Sequence, residues 1–529
     1  VAEAEIIRDA TSMWDLIDRR ATLSPDRPML IDESDRTVTF GEFRDRVERV
    51  AAGLAAAYGI GEGTTVAWQL PTRVDTIVLS SALARLGAVQ SPILHLYRER
   101  EVGFSLRQTG AELFFVPGEF RGFDFVELAE SVNAGLEHPP KIVVVDADHP
   151  LPEGDPATLD ALPAVAKGEA PVRWIYYTSG STSDPKGVQH TDQTLIAGGW
   201  GLAKALDMSP DDVGSMAFPY AHIAGPDYLV TMLCLGFPAV VVEAFVIADA
   251  LPFYRRHGVT MAGGGPAFYV MFLGEQRKQP DEPILPTLRL MSGGGGPKAP
   301  EHHFAVQREI GGRGIVHGYG MTEVPMIANG SPTDTDEQLA NTDGSPIEGI
   351  EVRMVTIDGC DAAPGEEGEV RVKGPMVFEG YLDPALDEEA FDEQGYFRTG
   401  DLGILRPDGH LSLTGRLKDV IVRKGENISA KEIEDVLAAH PKVADVAVIG
   451  VPDAERGERV CAVVQPADAA DPLTFDEMVR CCRDAKLMTQ KIPEQLEVRA
   501  DMPRASIGKI VKKDLRAEYA AKAWPGTST

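Results

Sequence analysis

The stretch Tyr177-Thr178-Ser179-Gly180-Ser181-Thr182-Ser183-Asp184-Pro185-Lys186-Gly187 decides how this chain is read. Five of its eleven residues are Ser or Thr, two are Gly, and a single Lys stands near the end. The residues before it, Val172-Arg173-Trp174-Ile175-Tyr176-Tyr177, are β-branched and aromatic and predict a strand. A strand running into such a loop suits phosphate. Small residues let backbone N–H groups approach anionic oxygens, hydroxyls add donors, and Lys186 adds charge. By composition alone, a Gly/Ser stretch is more often a polar surface loop. The hydroxyl density and the Lys favour the phosphate reading. The stretch is not a Walker A loop, because Lys186 is followed by Gly187 and Val188 rather than Ser or Thr.

Bulk properties narrow the function classes. The 529 residues are 43% hydrophobic and 25% charged, which predicts a soluble chain of two to four domains. Against 51 Lys and Arg stand 81 Asp and Glu, a formal net charge of −30. That argues against nonspecific binding to nucleic acid or to an anionic membrane, and a polyanionic substrate must be met by a local basic cluster. The five Cys have neither zinc spacing nor a disulfide framework, so a reducing cytoplasm is expected. No signal-peptide core is seen at the first residues. The apolar run 231–253 is broken by Pro238, Glu243 and Asp249, so it predicts buried core rather than stable membrane insertion. No internal repeat appears.

Taken in order, the chain alternates strand and helix. Thr39-Phe40-Gly41-Glu42 is a capping box, followed by Phe43, Val47, Val50, Ala51 and Leu54 at helical spacing, with Gly59 and Gly61 as stops. A strand over 65–70 and a helix over 74–86 closed by Gly87 come next. This alternation predicts an α/β fold with parallel, helix-covered sheets. After the Gly/Ser loop, 191–206 reads as a helix. Segments 351–355 and 369–373 alternate apolar and charged residues and predict a small β-rich, antiparallel subdomain. The last hundred or so residues have the size of a separate small domain. There 431–439 reads as a helix, 443–449 as a strand, and the close is basic around Gly508-Lys509.

Two further stretches carry chemistry. His317-Gly318-Tyr319-Gly320-Met321-Thr322-Glu323 offers an aromatic ring for a base, a hydroxyl for phosphate and a carboxylate for a hard cation. In Tyr396-Phe397-Arg398-Thr399-Gly400-Asp401, Asp401 is the right group to accept two hydrogen bonds from a ribose diol. Taken singly, each could be an ordinary turn.

In this order, the motifs resemble those of the adenylate-forming superfamily, which includes acyl-CoA synthetases, luciferases and peptide-synthetase adenylation domains. The resemblance runs from about Thr39 to Lys513. Thr178 to Gly187 is similar to the family's signature loop, with Ser181 where relatives usually carry Thr. The resemblance implies a large N-terminal domain over 1–416 and a small mobile C-terminal α+β domain over 417–529, hinged near Lys418. It also implies ATP, Mg²⁺ and coenzyme A, together with a carboxylic acid substrate. Self-association as a homodimer is left open.

Residue by residue, the likeness implies that Thr178, Ser179, Gly180, Ser181, Thr182 and Lys186 hold phosphate. Gly294, Gly295, Gly296 and Pro297 contribute backbone to the adenine and acyl sites. His317, Gly318, Tyr319 and Gly320 receive the base, with Tyr319 against adenine. Thr322 touches the phosphates and Glu323 holds Mg²⁺. Asp401 and Arg416 contact the ribose or phosphate. Lys509 matches the family's lysine that bridges the substrate carboxylate and the α-phosphate. Lys424 and Gly425 approach during thioester formation, where Gly425 gives pantetheine a narrow passage.

Some positions bear on the substrate. In Phe218-Pro219-Tyr220-Ala221-His222, the apolar neighbours make a packed histidine the ordinary reading, whereas the resemblance places His222 at the carboxylate end of the acyl pocket. Amino-acid-activating relatives carry Asp where this chain has Pro219, which argues against a substrate ammonium. The runs Gly263-Gly264-Gly265 and Gly293-Gly294-Gly295-Gly296 lack side chains that many relatives have. From that we expect a roomy pocket for an alicyclic, polycyclic or medium-to-long-chain acid. Gln490 stands where the family usually has an aromatic residue before Lys491.

Overall fold

Thr39 starts the first long helix as its sequence dictates. Its hydroxyl accepts from the Glu42 N–H at 3.2 Å, and the Glu42 carboxylate accepts from the Thr39 N–H at 2.9 Å. The helix Phe40–Tyr58 buries Phe43, Val47, Val50 and Leu54 completely and stops at Gly59, whose φ of +69° suits a residue without a Cβ. The next strand, Thr65–Trp68, lies parallel to both Val89–Pro92 and Leu113–Val116. Parallel neighbours need crossovers, and helices such as Val74–Arg85 supply them.

In this computed structural model residues 9–162, 165, 169–178, 185–423, 426–453, 456–504 and 510–522 are described. They fall into two units. The larger takes the described residues of Val1–Thr178, Pro185–Glu351 and Val372–Phe397, and the smaller takes those of Val352–Arg371 and Arg398–Thr529.

The larger unit has a seven-stranded sheet in the spatial order Gly380–Tyr381, Gly187–Thr191, Val172–Tyr177, Val89–Pro92, Thr65–Trp68, Leu113–Val116, Lys141–Val144. Helices Phe125–Asn133 and Asp192–Leu206 pack on it. Its first two strands are joined on by antiparallel pairing, so that Gly187–Thr191 alone runs against the parallel body. The strand Gly187–Thr191 was not expected: five residues, too short for a periodic signal, fold back on Val172–Tyr177, and only then does Thr191 cap the following helix. A second sheet joins Gly214–Met216, Ala239–Val241, Pro28–Ile31 and Thr37–Thr39. A third runs Met261–Gly264, Leu290–Gly294, Ile315–Tyr319, Ala328–Asn329, Ser345–Pro346, its first three strands parallel. The apolar run 231–253 is the core expected of it, passing through helix, strand and helix with Val240, Phe253 and their neighbours buried. The stretch 331–337 leads into the helix Asp336–Asn341, capped by Thr335.

One sheet, in the smaller unit but for Glu351, Val372, Lys373 and Phe397 at its strand ends, orders Glu351–Val355, Glu367–Lys373, Phe397–Leu405 and Leu411–Arg416. The other is built on the long hairpin Val443–Asp453 and Gly457–Pro466. Side chains alternate across it. Val446, Val448, Val460 and Ala462 join Ile433 and Leu437 of the helix Ala430–Ala438 in one core. Ala447, Ile449, Val451 and Cys461 join Leu515 and Tyr519 of the helix Lys512–Ala521 in a second. Both faces are therefore covered.

Candidate nucleotide and acyl site

The Gly/Ser loop is a hairpin connection. Residues Ser179, Gly180, Ser181 and Thr182 lie outside the described residues, but the flanks are fixed. The Thr178 N–H donates to the Lys186 carbonyl at 3.1 Å, and the Lys186 N–H donates to the Thr178 hydroxyl at 3.3 Å. Gly187 and Tyr177 then pair in register.

The second motif meets this hairpin through two routes. His190, on the strand Gly187–Thr191, brings its Nε2 to 2.8 Å from the Thr322 carbonyl, while its Nδ1 faces the Thr194 hydroxyl at 2.9 Å. A carbonyl can only accept, so Nε2 carries the proton. Full burial pulls the ring from its usual 6.5 down to about 4 and keeps it neutral. The other route is the segment 378–382. Its Phe378 N–H donates to the Glu323 carbonyl at 2.9 Å, and its Leu382 N–H donates to the Gly187 carbonyl at 2.7 Å. Tyr381 completes the link: its hydroxyl donates to Glu323 Oε1 at 2.8 Å, and the Lys186 ammonium lies 4.6 Å from its ring centroid. Lys186, Thr322 and Glu323 are thus brought together. His190 drew no notice in the sequence, where a lone His in a short strand carries no signal.

The glycine runs and the Tyr319 motif lie on adjacent parallel strands. Gly264 pairs with Gly293, Gly293 with His317, and Gly294 with Gly318. Their carboxyl ends therefore emerge together, the edge of a parallel sheet where ligands bind. His317 is buried inside this sheet. Its Nδ1 lies 3.5 Å from the Tyr269 hydroxyl and its Nε2 lies 4.0 Å from Asp343 Oδ1. Burial, with Lys298 adding to it, takes its pKa to about 3. Tyr319 is buried at 6% exposure, whereas Gly295 and Pro297 are exposed.

The expectation that missing side chains leave volume needs correction. A Cβ on Gly263 would sit 2.1 Å from the Ser292 carbonyl oxygen, one on Gly294 2.5 Å from that of Gly318, and one on Gly293 2.7 Å from the Tyr269 hydroxyl. Neighbouring backbone and side chains already fill those places. Gly263 and Gly264 also have φ of +130° and +152°. Only Gly295, with nothing within 4 Å, and Gly296, with Pro266 at 3.6 Å, border open space. His222 departs from the packed reading as well. It is exposed just before the helix Ala224–Leu235, and its Nδ1 accepts from the Ala224 N–H at 3.3 Å.

In the smaller unit, Asp401 and Arg416 face each other in register on antiparallel strands, with Arg416 Nε 2.9 Å from Asp401 Oδ1. Asp401 is 4% exposed and its N–H donates to the Thr399 hydroxyl at 3.0 Å. Lys418 is exposed on a single 3₁₀ turn, Leu417–Asp419. Next to it Asp419 accepts from Arg516 at 2.7 Å, which ties that turn to the last helix. Lys424, Gly425 and Lys509 lie outside the described residues.

Glu323 fits a magnesium site of one kind. Among the described residues no three acidic, His or Cys side chains gather as a ligand cage. Mg²⁺ bound with a triphosphate needs only one or two carboxylates, because phosphates and water fill the rest of its octahedron. A single carboxylate beside a phosphate-type loop matches that mode.

Residues 17–382 match the family described as AMP-binding enzyme, and residues 432–509 match its C-terminal domain. The chain is 32% identical over 521 residues to a medium-chain fatty-acid–CoA ligase of Escherichia coli strain K12, covering 96% of this chain and 90% of the relative. It is 31% identical over 538 residues to a salicyl-AMP ligase/salicyl-S-ArCP synthetase of Mycobacterium tuberculosis, covering 99% and 92%. Among solved structures, o-succinylbenzoate coenzyme A synthetase of Bacillus subtilis, in complex with ATP and magnesium ion, superposes with a TM-score of 0.82 at 29% identity, covering 94% and 98%.

Proposed function

Because the chain belongs to the AMP-binding enzyme family and is an adenylate-forming ligase, we propose that it activates an apolar carboxylic acid with ATP and passes the acyl group to coenzyme A. The observation that carries the reading is the meeting of Lys186 and Glu323 on Tyr381, beside the open ends of the glycine strands. No helix among the described residues is long and apolar enough to cross a membrane. The described cysteines are free thiols, which suits a reducing cytoplasm.

A carboxylate is a poor electrophile, so its oxygen is first joined to the α-phosphorus of ATP, and the bond to pyrophosphate breaks. Two anions must meet, so the site's task is positioning and charge neutralisation. Lys509 bridges the carboxylate and the α-phosphate. Lys186 and the hydroxyls and N–H groups of 178–182 hold the outer phosphates, together with Thr322. Tyr319 and the backbone of 294–297 and 317–320 receive the base, and Asp401 and Arg416 the ribose. Glu323 would hold magnesium, which when bound would supply positive charge against the phosphates. His222 stands at the carboxylate end of the acyl site. A thiol then attacks the acyl carbon and loses its proton, and AMP leaves. For that step the domain 417–529 turns about Lys418 relative to 1–416, bringing Lys424 and Gly425 in and taking Lys509 out.

The acid is an uncharged-tail acid of medium-to-long-chain or ring-bearing type. Pro219 supports this, since a buried substrate ammonium needs an anionic partner there. That argument bears on charge alone; the size class rests on the similarity to a medium-chain fatty-acid–CoA ligase. The test is pyrophosphate release with short, long, aromatic and alicyclic acids, followed by acyl transfer to coenzyme A or to a carrier protein's phosphopantetheine arm. AMP, pyrophosphate and an acyl-CoA are expected. ADP as product would overturn adenylation, acetate or an amino acid as best substrate would overturn the acid class, and transfer only to the carrier would overturn the acceptor.

A further inference from the structure

The segment 378–382 is stitched to two separate parts of the candidate site. Its backbone donates to Glu323 through Phe378, to Gln189 through Glu379 at 2.9 Å, and to Gly187 through Leu382. Gly380 and Tyr381 pair in register with Gln189 and Val188. The Tyr381 N–H donates to Asp387 Oδ1 at 2.8 Å, and Gln189 donates to the Tyr381 carbonyl at 3.0 Å. The Phe378 ring lies edge-on to Tyr381 at 4.8 Å between centroids. Few surface tyrosines are held by so many partners, and this one is only 4% exposed.

From that fixed seat the side chain serves two charges of opposite sign. The hydroxyl donates to Glu323 Oε1 and the ring face carries the Lys186 ammonium. We propose that Tyr381 is a positioning residue for the first half-reaction: it aims the Glu323 carboxylate at the divalent cation and holds Lys186 on its ring until a triphosphate draws the ammonium away. Two physical points support this. A hydrogen bond to a carboxylate restricts the rotation that would otherwise be lost on binding a cation. The ring also keeps Lys186 from closing directly on Glu323, a salt bridge that would neutralise both groups before the nucleotide arrives.

The inference rests on Glu323 being the cation's ligand, and the experiment separates the two. Binding of Mn²⁺ in the presence of a non-hydrolysable ATP analogue is followed by electron paramagnetic resonance in the full-length chain. The variants are Tyr381→Phe, Glu323→Gln and the double variant. Tyr381→Phe keeps the ring and loses the hydroxyl. It should weaken Mn²⁺ binding about tenfold, the loss of one hydrogen bond to a charged group. It should also raise the Mg²⁺ needed for half-maximal pyrophosphate exchange by a like factor, with the KM for the acid unchanged. If Tyr381 acts through Glu323, the double variant is no worse than Glu323→Gln alone. Additive losses would overturn the inference, and so would unchanged Mn²⁺ binding in Tyr381→Phe alongside weakened binding in Glu323→Gln. Unchanged binding in Glu323→Gln would instead overturn the assignment of the cation ligand. Should Tyr381→Phe prove unstable, Tyr381→Leu supplies the same Mn²⁺ comparison, since it too removes the phenol and brings no donor of its own.

Discussion

Arg416 Nε stands 2.9 Å from Asp401 Oδ1 across a register pair of antiparallel strands, so the two residues assigned to the ribose hold each other. The Asp401 side chain is 6% exposed and that of Arg416 is 47% exposed. A pair with one partner in solvent adds little stability, under about 1 kcal/mol. Arg416→Leu should therefore leave the melting temperature nearly unchanged. Asp401→Asn should raise the KM for ATP by about tenfold or more, because a diol loses its charged acceptor. Calorimetry and initial rates check both; an unchanged KM in Asp401→Asn would remove Asp401 from the nucleotide site.

The two half-reactions can be separated. Lys509→Ala should slow adenylation on the order of 10²-fold, the cost of one charge-stabilising donor, and spare thioester formation from supplied acyl-AMP. Lys418→Pro should show the reverse bias, since it stiffens the proposed pivot. Equal damage to both half-reactions by Lys509→Ala contradicts its assignment; an unaffected second step in Lys418→Pro contradicts the pivot.

Glycines that look alike in the sequence should respond differently. A Cβ on Gly263 meets the Ser292 carbonyl oxygen at 2.1 Å and the backbone has φ of +130°. Gly263→Ala should thus cost more than about 3 kcal/mol, if it folds. Gly295 has φ of +79° and open space around it, so Gly295→Ala should cost only about 1–2 kcal/mol of backbone strain. Chemical denaturation ranks the two; equal costs would mean that the strands are not as close as described.

His190 stays neutral down to about 4 when folded, while the unfolded chain protonates it near 6.5. As pH falls from 6.5 to 4, the unfolded state takes up a proton that the folded state refuses. Stability is therefore lost over that window, on the order of 3 kcal/mol, and levels off below it. Unfolding free energies of wild type and His190→Asn across pH 4–8 test this. The wild type's own fall should be missing from the variant.

Asp227 has the opposite sign. It is buried beside Gly198, its Oδ1 has no partner, and burial raises its pKa to about 8. Its stabilising contribution is complete below 3.8 and is lost as pH rises towards 8. Asp227→Asn should remove that loss, so the variant's melting temperature should overtake the wild type's as pH rises from 5 to 8. A constant difference across that range would show that the carboxyl is already ionised.

How much was legible depended on the range of the interaction. Thr39 and Glu42, three residues apart, announce their helix, and the run 443–449 announces a strand, whose burial on both faces the structure adds. The motifs at 178–187, 317–323 and 396–401 were legible because each packs its chemistry into one short run. What those glycines were for was not legible. Gly263 and Gly293 read as empty volume, and they prove to be where adjacent strands approach too closely for a Cβ.

Local composition and periodicity were thus enough to determine an α/β chain with phosphate-type loops, since hydrogen bonding and helical or strand spacing act between near neighbours. Only the tertiary structure decided that His190 would hold Thr322, 132 positions away, and that Tyr381 would stand between Lys186 and Glu323. Such contacts follow from sheet order and register, which are settled when the whole core is buried at once, and no short run of residues encodes them.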